Sequence, residues 1–350
     1  MMSSSSSLSA AAGVAEVENC RDVLRVFSDG SIVRSPEPSF MVTVEDDGSI
    51  EWGDVPFDFD LGLHLRLYRP RCRVPTDPAR FPVFYYFHGG GYCIGSRTWP
   101  NFHNYCLRLA THLRAVVVSP DYRLAPENRL PAAIEDSVAS ILWLRSQALS
   151  GDPHPLLADA DFSNVFVSGD SAGGSIAHHL AVRFGSDEAR ADLKPVLIRG
   201  FILLMPFFAG TIRTRSENEC PPDAFLNLEL NDRFWRLSLP VGSTTDDPIS
   251  NPFGPGAPDL QTVRFDPMLV VVGGKDLLRD RAVDYGERLK KWGNPVEVLH
   301  FESQQHGFFT TTPKSKPADE LMRSIQRFVD QTGNKSDRSR SSGWCLAVVF

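Results

Sequence analysis

From about residue 62 onward, short β-rich apolar runs alternate with longer segments whose apolar residues recur with helical period. Several runs are apolar at consecutive positions, which is typical of central strands covered on both faces. This alternation predicts an α/β fold with a mostly parallel sheet flanked by helices. The predicted strands are LHLRLYRP (63–70), PVFYYF (82–87), AVVVSPDY (115–122), NVFVSGD (164–170), IRGFILLMPFF (198–208), MLVVVGG (268–274) and VEVLHFE (296–302). The predicted helices are AAIEDSVASILWLRSQAL (132–149), GSIAHHLAVRFG (174–185), RDRAVDYGERLKKWG (279–293) and ADELMRSIQRFVDQ (318–331).

Polar segments flank this block. We expect a disordered Ser/Ala-rich leader at 1–19, one main domain at 20–332 and a disordered tail at 333–350. The stretches 20–60 and 211–258 are the candidate cap regions of the domain, because long irregular insertions commonly build a pocket wall.

Each candidate cap region contains a predicted short helix. In the first, CRDVLRVF (20–27) has an apolar face. That face is formed by Val23, Leu24, Val26 and Phe27. In the second, NDRFWRLSL (231–239) is rich in aromatic residues. We expect the first helix to cover the functional site, so deletion of residues 1–35 should change substrate binding or rate.

Composition and charge narrow the classes of partner. The net charge of the 350-residue chain is -7, so no cationic field attracts nucleic acid or anionic lipid. No segment reaches the ~20 apolar residues that span a bilayer, which predicts no stable membrane insertion. A small-molecule partner fits better, and a homodimer is compatible with the sequence.

The six cysteines lack the close pairs of a zinc site or a disulfide framework. We therefore expect free thiols, no metal and a reducing compartment, namely the cytoplasm and also the nucleus. The cysteines are Cys20, Cys72, Cys93, Cys106, Cys220 and Cys345.

The segment GDSAGG (169–174) places a serine between two glycines, directly after a predicted strand and before a predicted helix. In this context the turn holds the serine in a strained conformation, and a side chain at Gly169 or Gly173 would collide with the neighbouring strand or helix. A Gly-x-Ser-x-Gly match occurs often by chance, so the prediction depends on its position between a strand and a helix. Ser171 is the predicted nucleophile of a nucleophile elbow.

A second glycine-rich motif, HGGG (88–91), follows the predicted strand PVFYYF at the same edge of the sheet. Acyl transfer passes through an oxyanion that needs backbone N–H donors, and consecutive glycines let the chain approach the substrate closely. We expect Gly89 to contribute by shape and His88 to hold the loop rather than to act as a base. The predicted oxyanion hole consists of Gly89, Gly90, Gly91 and Ala172.

The acid and the base are expected after the last two strands, because the nucleophile-elbow arrangement places its triad in the order serine, acid, histidine. Of the two histidines after Gly274, His300 lies inside a predicted strand, whereas His306 follows it in the loop SQQHGFF. His306 is the predicted base. Asp276 is the predicted acid, with Asp280 as the competing choice, and its role is to fix the imidazole tautomer. No cofactor is required.

Other histidines and aromatic residues are predicted to have structural or substrate-binding roles. His178 and His179 are adjacent on a helix and lack the i, i+4 spacing of a helical metal site, so we expect them to be packing or surface residues. The expected substrate-pocket residues are Phe207, Trp235 and Phe253.

Taken together, the motifs resemble those of plant carboxylesterases in the hormone-sensitive-lipase-like branch of the α/β-hydrolase family. The resemblance covers about residues 20 to 330 and rests on HGGGYCIGS, SPDYRLAPENRLPAAIED, GDSAGGSIAH, NPFGP, VVGGKDLLRDRA and QHGFF. The segments SRTWPNFHNYCLRLA, LAVRFGS and DRFWRLSLP are most similar to the carboxylesterase 15 group. This resemblance implies a serine carboxylesterase that hydrolyses strigolactone hormones and thereby inactivates them. The acid of that group can be glutamate, whereas Asp276 stands here.

Two alternative functions stay open. One is a broad-specificity detoxifying carboxylesterase. The other is a non-catalytic hormone-binding protein similar to the gibberellin receptors of the same branch. Those receptors lack the catalytic histidine, so the presence of His306 disfavours this second alternative.

Overall fold

The computed structural model describes residues 14–38, 42–71 and 80–333. It divides into two compact units, Met1–Met41 and Val42–Phe350. Most of the predicted leader and tail, together with Cys72 and Cys345, lies outside the described residues.

The predicted boundaries at the start of the chain need correction. Residue 19 does not end a disordered leader, because Glu16–Cys20 is a strand. A main domain beginning at residue 20 also differs from the observed division, which falls after Met41.

The first unit contains a three-stranded antiparallel sheet of β1 (Glu16–Cys20), β2 (Leu24–Phe27) and β3 (Ile32–Arg34). The helix predicted for CRDVLRVF is therefore wrong. Arg21 and Asp22 both have positive φ, 57° and 59°, which are the backbone angles of a tight hairpin turn. The side chain of Asn19 accepts the Asp22 N–H at 2.7 Å. The apolar run is too short for its period to distinguish a helix from a strand.

The second unit is built on an eight-stranded sheet. Its strands are β4 (Ile50–Asp58), β5 (Leu63–Pro70), β6 (Phe81–Phe87), β7 (Val116–Pro120), β8 (Ala160–Asp170), β9 (Ile198–Leu204), β10 (Met268–Gly273) and β11 (Val296–Phe301). They are ordered β11-β10-β9-β8-β6-β7-β5-β4. Neighbours from β11 to β7 are parallel, whereas β5 is antiparallel to both β7 and β4. The predicted α/β fold and all seven predicted strands are confirmed.

Helices cover this sheet. They are α1 (Pro100–Leu113), α2 (Ala132–Leu149), α3 (Ala172–Arg183), α4 (Asp187–Leu193), α5 (Arg215–Asn218), α6 (Leu228–Ser238), α7 (Arg279–Lys291), α8 (Phe308–Thr311) and α9 (Lys316–Gly333). α1 packs with α8 and α9, α2 packs with α3, and α7 lies against β10 and β11. None of the helices in the described ranges is long and apolar enough to cross a membrane.

The elements that were not predicted include β4 and α1. β4, with the sequence IEWGDVPFD, lies at the edge of the sheet and is mostly exposed or half-buried. It contains Gly53 and Pro56, so its composition is untypical of a strand. α1 begins with Pro100 at its first position and buries Asn101, His103 and Asn104, which breaks the apolar period.

The carboxyl ends of four parallel strands position the chemistry. β6 ends at Phe87 before HGGG, and β8 ends at Asp170 before Ser171. β10 and β11 end just before the loops that carry Asp276 and His306. Because parallel strands end at the same edge of a sheet, the motifs separated in sequence meet there.

Candidate active site

Ser171 stands in the turn between β8 and α3 with φ 52° and ψ −117°. A residue other than glycine in such a conformation costs about 1–3 kcal/mol, so its surroundings must hold it. Its N–H donates to the Leu204 carbonyl at 2.9 Å, and its carbonyl accepts from Ser175 at 3.1 Å and Phe207 at 3.0 Å. This is the geometry of a nucleophile elbow.

The glycines on either side of Ser171 are required by close backbone contacts. A Cβ at Gly169 would overlap the carbonyl oxygen of Gly173, and a Cβ at Gly173 would overlap the carbonyl oxygen of Phe87. Both oxygens belong to the backbone, so they cannot move aside as the end of a flexible side chain could. The second contact also draws the N-terminus of α3 against the end of β6, where HGGG begins.

His306 and Asp276 form a buried pair, with Nδ1 of the imidazole 2.7 Å from Oδ2 of the carboxylate. The other carboxylate oxygen accepts the Leu278 N–H at 3.0 Å, which fixes the orientation of Asp276. Because a carboxylate only accepts hydrogen bonds, Nδ1 carries the proton and Nε2 is left as the basic nitrogen.

The end of β9 links the base loop to the nucleophile. Leu204 accepts the Ser171 N–H, and the sulfur of the next residue, Met205, accepts the Gly307 N–H at 3.3 Å. Ser171 and Gly307, the residue after His306, are therefore both hydrogen-bonded to the two-residue segment Leu204 and Met205.

The competing choices for acid and base lie elsewhere. Asp280 accepts the Ser216 N–H at 2.7 Å and pairs with Arg279, so it joins α5 to α7. His300 lies on β11 with its Nδ1 3.9 Å from Glu302. The structure thus gives Asp280 and His300 partners other than those expected of the acid and the base.

The glycine loop places backbone donors beside the elbow. Gly90 and Gly91 have φ 118° and 57°, and a Cβ at these positions would overlap Ile94 and the Phe234 ring respectively. Within the described ranges, no hydrogen bond is formed by the N–H groups of Gly90, Gly91 or Ala172. Three unused donors next to a nucleophile are what an oxyanion requires.

Gly89 supplies no free N–H donor, which agrees with the contribution by shape expected of it. Its N–H donates to Oδ1 of Asp170 at 2.9 Å, and the Tyr86 hydroxyl donates to the same oxygen at 2.6 Å. Gly89 still contributes by shape, since a Cβ there would overlap the Asp170 carboxylate.

Asp170 and Tyr86 are functional residues that the sequence reasoning missed. Both are buried, and burial raises the pKa of Asp170, whereas its hydrogen bond from Tyr86 favours the charged form. Asp170, which directly precedes Ser171, is thus hydrogen-bonded to Gly89, the first glycine of the loop. The only signal for Asp170 in the sequence is its place inside GDSAGG, directly before the serine.

His88 has the loop-holding contacts expected of it. Its buried ring stacks on Tyr122 with centroids 4.5 Å apart, and Nδ1 lies 2.8 Å from the Gly89 carbonyl. The Tyr122 hydroxyl donates to the His88 carbonyl at 2.8 Å. Burial lowers the pKa of His88, so its imidazole is neutral at pH 7.

His178 and His179 also have packing roles. His178 Nδ1 lies 2.8 Å from the Tyr285 hydroxyl, and His179 Nε2 lies 3.0 Å from the Ile249 carbonyl. Among the residues that the structure describes, no group of three or more His, Cys, Asp and Glu side chains could hold a metal ion.

Part of the 211–258 region contacts the acid and base loops. Ser216 donates its hydroxyl to the Leu277 carbonyl at 2.7 Å, and buried Glu217 pairs with Arg281 at 2.6 Å. The Phe225 N–H donates to the Gln305 side chain at 3.5 Å. These contacts anchor α5 and the segment after it next to Asp276 and His306.

The structure brings together two of the three predicted pocket aromatics. Phe207 and Trp235 are buried and stacked, with centroids 4.2 Å apart and an interplanar angle of 4°. Phe253 instead packs against Tyr285 and Trp292 of the α7 region. Among the described residues, no ring contact joins Phe253 to Phe207 or Trp235.

Comparisons with known proteins agree with this geometry. A family model described as alpha/beta hydrolase fold matches residues 84–310. Probable carboxylesterase 6 of Arabidopsis thaliana is 37% identical over 271 residues, covering 75% of this chain and 76% of the relative. Tuliposide A-converting enzyme 2, chloroplastic, of Tulipa gesneriana is 38% identical over 258 residues, or 73% of this chain, and the match spans only 64% of that relative's length. The solved structure of a hyperthermophilic esterase from the archaeon Pyrobaculum calidifontis matches with a TM-score of 0.67 and 29% identity, covering 80% of this chain and 85% of the other.

We predict that Gly173→Ala loses both stability and activity, because its Cβ has no space beside the Phe87 carbonyl. Overpacking of this kind costs about 1–3 kcal/mol of unfolding free energy, and the displaced elbow should lower kcat for an aryl acetate. Chemical denaturation and ester hydrolysis measure the two effects. Gly151→Ala is the matched control, since nothing lies within 4 Å of its Cβ. Equal behaviour of the two variants would contradict the assignment of the elbow.

We predict that Asp170→Ala lowers kcat for an aryl acetate by roughly 100-fold, with a small change in KM, because the loop that holds the oxyanion loses its anchor. Asp170→Asn keeps a side-chain oxygen that can accept from Tyr86 and Gly89, so it should retain most of the activity. Steady-state kinetics of both variants, with circular dichroism as a check of folding, test this. A wild-type kcat in Asp170→Ala would rule out the anchoring role.

Proposed function

We propose that this chain, which belongs to the α/β-hydrolase fold family, hydrolyses carboxylic esters through an acyl-enzyme formed on Ser171. Its carboxylesterase relatives and esterase structural neighbours support this activity. The observation that carries the assignment of residues is the 2.7 Å pair of His306 and Asp276 at the sheet edge that also holds the Ser171 elbow.

In the proposed mechanism, Nε2 of His306 takes the hydroxyl proton of Ser171 as the serine oxygen attacks the ester carbonyl carbon. The imidazolium is stabilised by Asp276. The N–H groups of Gly90, Gly91 and Ala172 hold the oxyanion.

The second half of the reaction uses the same base. The tetrahedral intermediate collapses, the bond to the alcohol oxygen breaks, and His306 gives its proton to the leaving alcohol. Water then loses a proton to His306 and attacks the acyl-enzyme. The acid is released and the Ser171 hydroxyl is restored.

For the physiological substrate we propose a strigolactone ester, whose hydrolysis would inactivate the hormone. This rests on the resemblance of the sequence motifs to the carboxylesterase 15 group. A broad-specificity detoxifying esterase is the second candidate, and the names of the relatives, carboxylesterases and tuliposide A-converting enzymes, favour it. A receptor-like binding protein is disfavoured by the pairing of His306 with Asp276.

Location and assembly stay predictions. The cytoplasm, extending to the nucleus, is the location expected from the composition, although two of the relatives are named chloroplastic and four amyloplastic. A homodimer is likewise a prediction. Neither affects the proposed chemistry, which needs residues of one chain only.

We predict that Ser171→Ala abolishes hydrolysis of an aryl acetate and leaves the thermal unfolding midpoint near that of the wild type, because the hydroxyl is needed for attack and not for the fold. Mass spectrometry of the products from strigolactone analogues and simple acetate esters, measured side by side, separates the two substrate proposals. Selective cleavage of the analogues supports the hormone substrate, and similar rates on both support a broad esterase. Turnover retained by Ser171→Ala would contradict the mechanism.

A further inference from the structure

The glycine loop, residues 88–97 between β6 and α1, has both of its ends beside one carboxylate. Oδ1 of Asp121 accepts the Arg97 N–H at 2.6 Å and lies 3.8 Å from Nε2 of His88. The two ends also approach each other closely, because a Cβ at Gly95 would overlap the His88 ring. Asp121 therefore closes the loop that carries two of the proposed oxyanion donors.

The side chain of Arg97 lies between two carboxylates. It pairs with Oδ2 of Asp121, and its Nε donates to Oδ1 of Asp54 at 3.2 Å. Asp54 in turn accepts two hydrogen bonds from the guanidinium of Arg66, at 2.7 and 2.8 Å. Only 9% of the Arg66 side chain and 14% of the Arg97 side chain are exposed, so water screens these pairs less than ordinary surface pairs. The order Arg66, Asp54, Arg97, Asp121 is a chain of alternating charge.

These contacts complete the attachment of the loop to the strands on both sides of it. β6 lies between β8 and β7 in the sheet. Asp170, at the end of β8, accepts the Gly89 N–H at the start of the loop. Asp121, directly after β7, accepts the Arg97 N–H at its end. Asp54 on β4 then connects Arg97 to the edge of the sheet.

The loop needs such an attachment from outside. Consecutive glycines have access to many backbone conformations, so the segment does not fix its own shape. Stabilisation of an oxyanion depends on donors that are already in place before the charge develops. The position of the Gly90 and Gly91 N–H groups must therefore come from the residues that hold the two ends of the loop.

We propose that Arg97 is a positioning residue for the oxyanion donors of Gly90 and Gly91, and that it acts through its pairs with Asp121 and Asp54. The inference rests on the proposed function and adds a residue to the same site. The oxyanion exists in the transition state and not in the bound ester, so misplaced donors weaken the first and not the second. Loss of Arg97 should lower kcat and leave KM nearly unchanged.

Steady-state kinetics of Arg97→Met on p-nitrophenyl acetate provide the first test. Methionine keeps an unbranched apolar side chain and removes the charge. We expect kcat to fall about tenfold to 100-fold, because small displacements of catalytic groups have effects of this size. Arg97→Lys keeps the charge but lacks the planar fork that reaches two carboxylates, so its kcat should lie between those of the wild type and Arg97→Met.

Arg190→Met is the matched control. Arg190 pairs with Asp266 at 3.2 Å, and the two side chains are 20% and 16% exposed, close to the values of 14% and 22% for Arg97 and Asp121. This pair lies before the start of β10, at the sheet edge opposite to Ser171. Its loss should lower the thermal unfolding midpoint and leave kcat at the wild-type value.

A matched pair of ketone inhibitors separates positioning from a general structural role. In a trifluoromethyl ketone, the Ser171 oxygen bonds to the carbonyl carbon, its proton passes to His306, and the carbonyl oxygen becomes an oxyanion. The methyl ketone with the same chain occupies the site without this addition. In Arg97→Met, the inhibition constant of the trifluoromethyl ketone should rise by the factor by which kcat falls, whereas that of the methyl ketone should not change.

A double variant tests the route through Asp121. Asp121→Asn keeps a side-chain oxygen that can accept the Arg97 N–H, and it removes the charge that faces the guanidinium. If the two residues act as one clamp, kcat of Arg97→Met/Asp121→Asn falls by less than the product of the two single losses. Losses that multiply would show independent action and would overturn this route.

The outcomes separate this inference from the proposed function. Wild-type kcat in Arg97→Met, or an equal rise of both inhibition constants, would overturn the positioning role while wild-type turnover still supported an esterase. If Arg97→Met does not fold, as judged by circular dichroism, the same comparisons are made with Arg97→Lys, and a wild-type kcat there would overturn the role. Absence of turnover by the wild-type protein, with no preference for the trifluoromethyl ketone, would overturn the proposed function and this inference with it.

Discussion

The close approach of two backbones at Gly173 and Phe87 is the constraint on which the site depends. Because Gly173 has no side chain, the start of α3 can lie directly against the end of β6. That approach brings the Ser171 turn and the HGGG loop to one place, because the first follows β8 and the second follows β6. The unused N–H of Ala172 and those of Gly90 and Gly91 then come from two different motifs, and the proposed mechanism uses all three to hold one oxyanion. The strained φ of Ser171 follows from the same tight turn.

Buried polar groups keep this arrangement in register. Asp170 links Tyr86 of β6 to the Gly89 N–H, and the pair of Asp276 and His306 sets the tautomer of the base. In each case a carboxylate at the end of a strand holds a loop from another strand. Such groups are costly to bury, so they are retained where position matters more than stability.

Much of the fold, and the placement of the candidate triad residues at one edge of the sheet, could be predicted from the sequence, because both depend on strong local signals. Runs such as MLVVVGG are apolar throughout, which identified the central strands, and GDSAGG between a strand and a helix singled out Ser171. The assignments that failed depend on contacts instead. The run CRDVLRVF fits either period, and only the positive φ angles of Arg21 and Asp22 make it a hairpin.

Hydrogen-bond partners and aromatic contacts were also beyond the sequence. Nothing in HGGG says that the Gly89 N–H is already used by Asp170, and nothing in NPFGP says that Phe253 packs on Tyr285 rather than beside Trp235.

Covalent trapping of the nucleophile tests the central claim most directly. The full-length protein is treated with a fluorophosphonate that reacts with activated serine hydroxyls, and the adduct is located by peptide mass spectrometry. The account predicts one adduct per chain, on the peptide that contains Ser171, which is absent in Ser171→Ala and forms far more slowly in His306→Gln. An adduct on another residue, or equal labelling of the His306→Gln variant, would contradict the account.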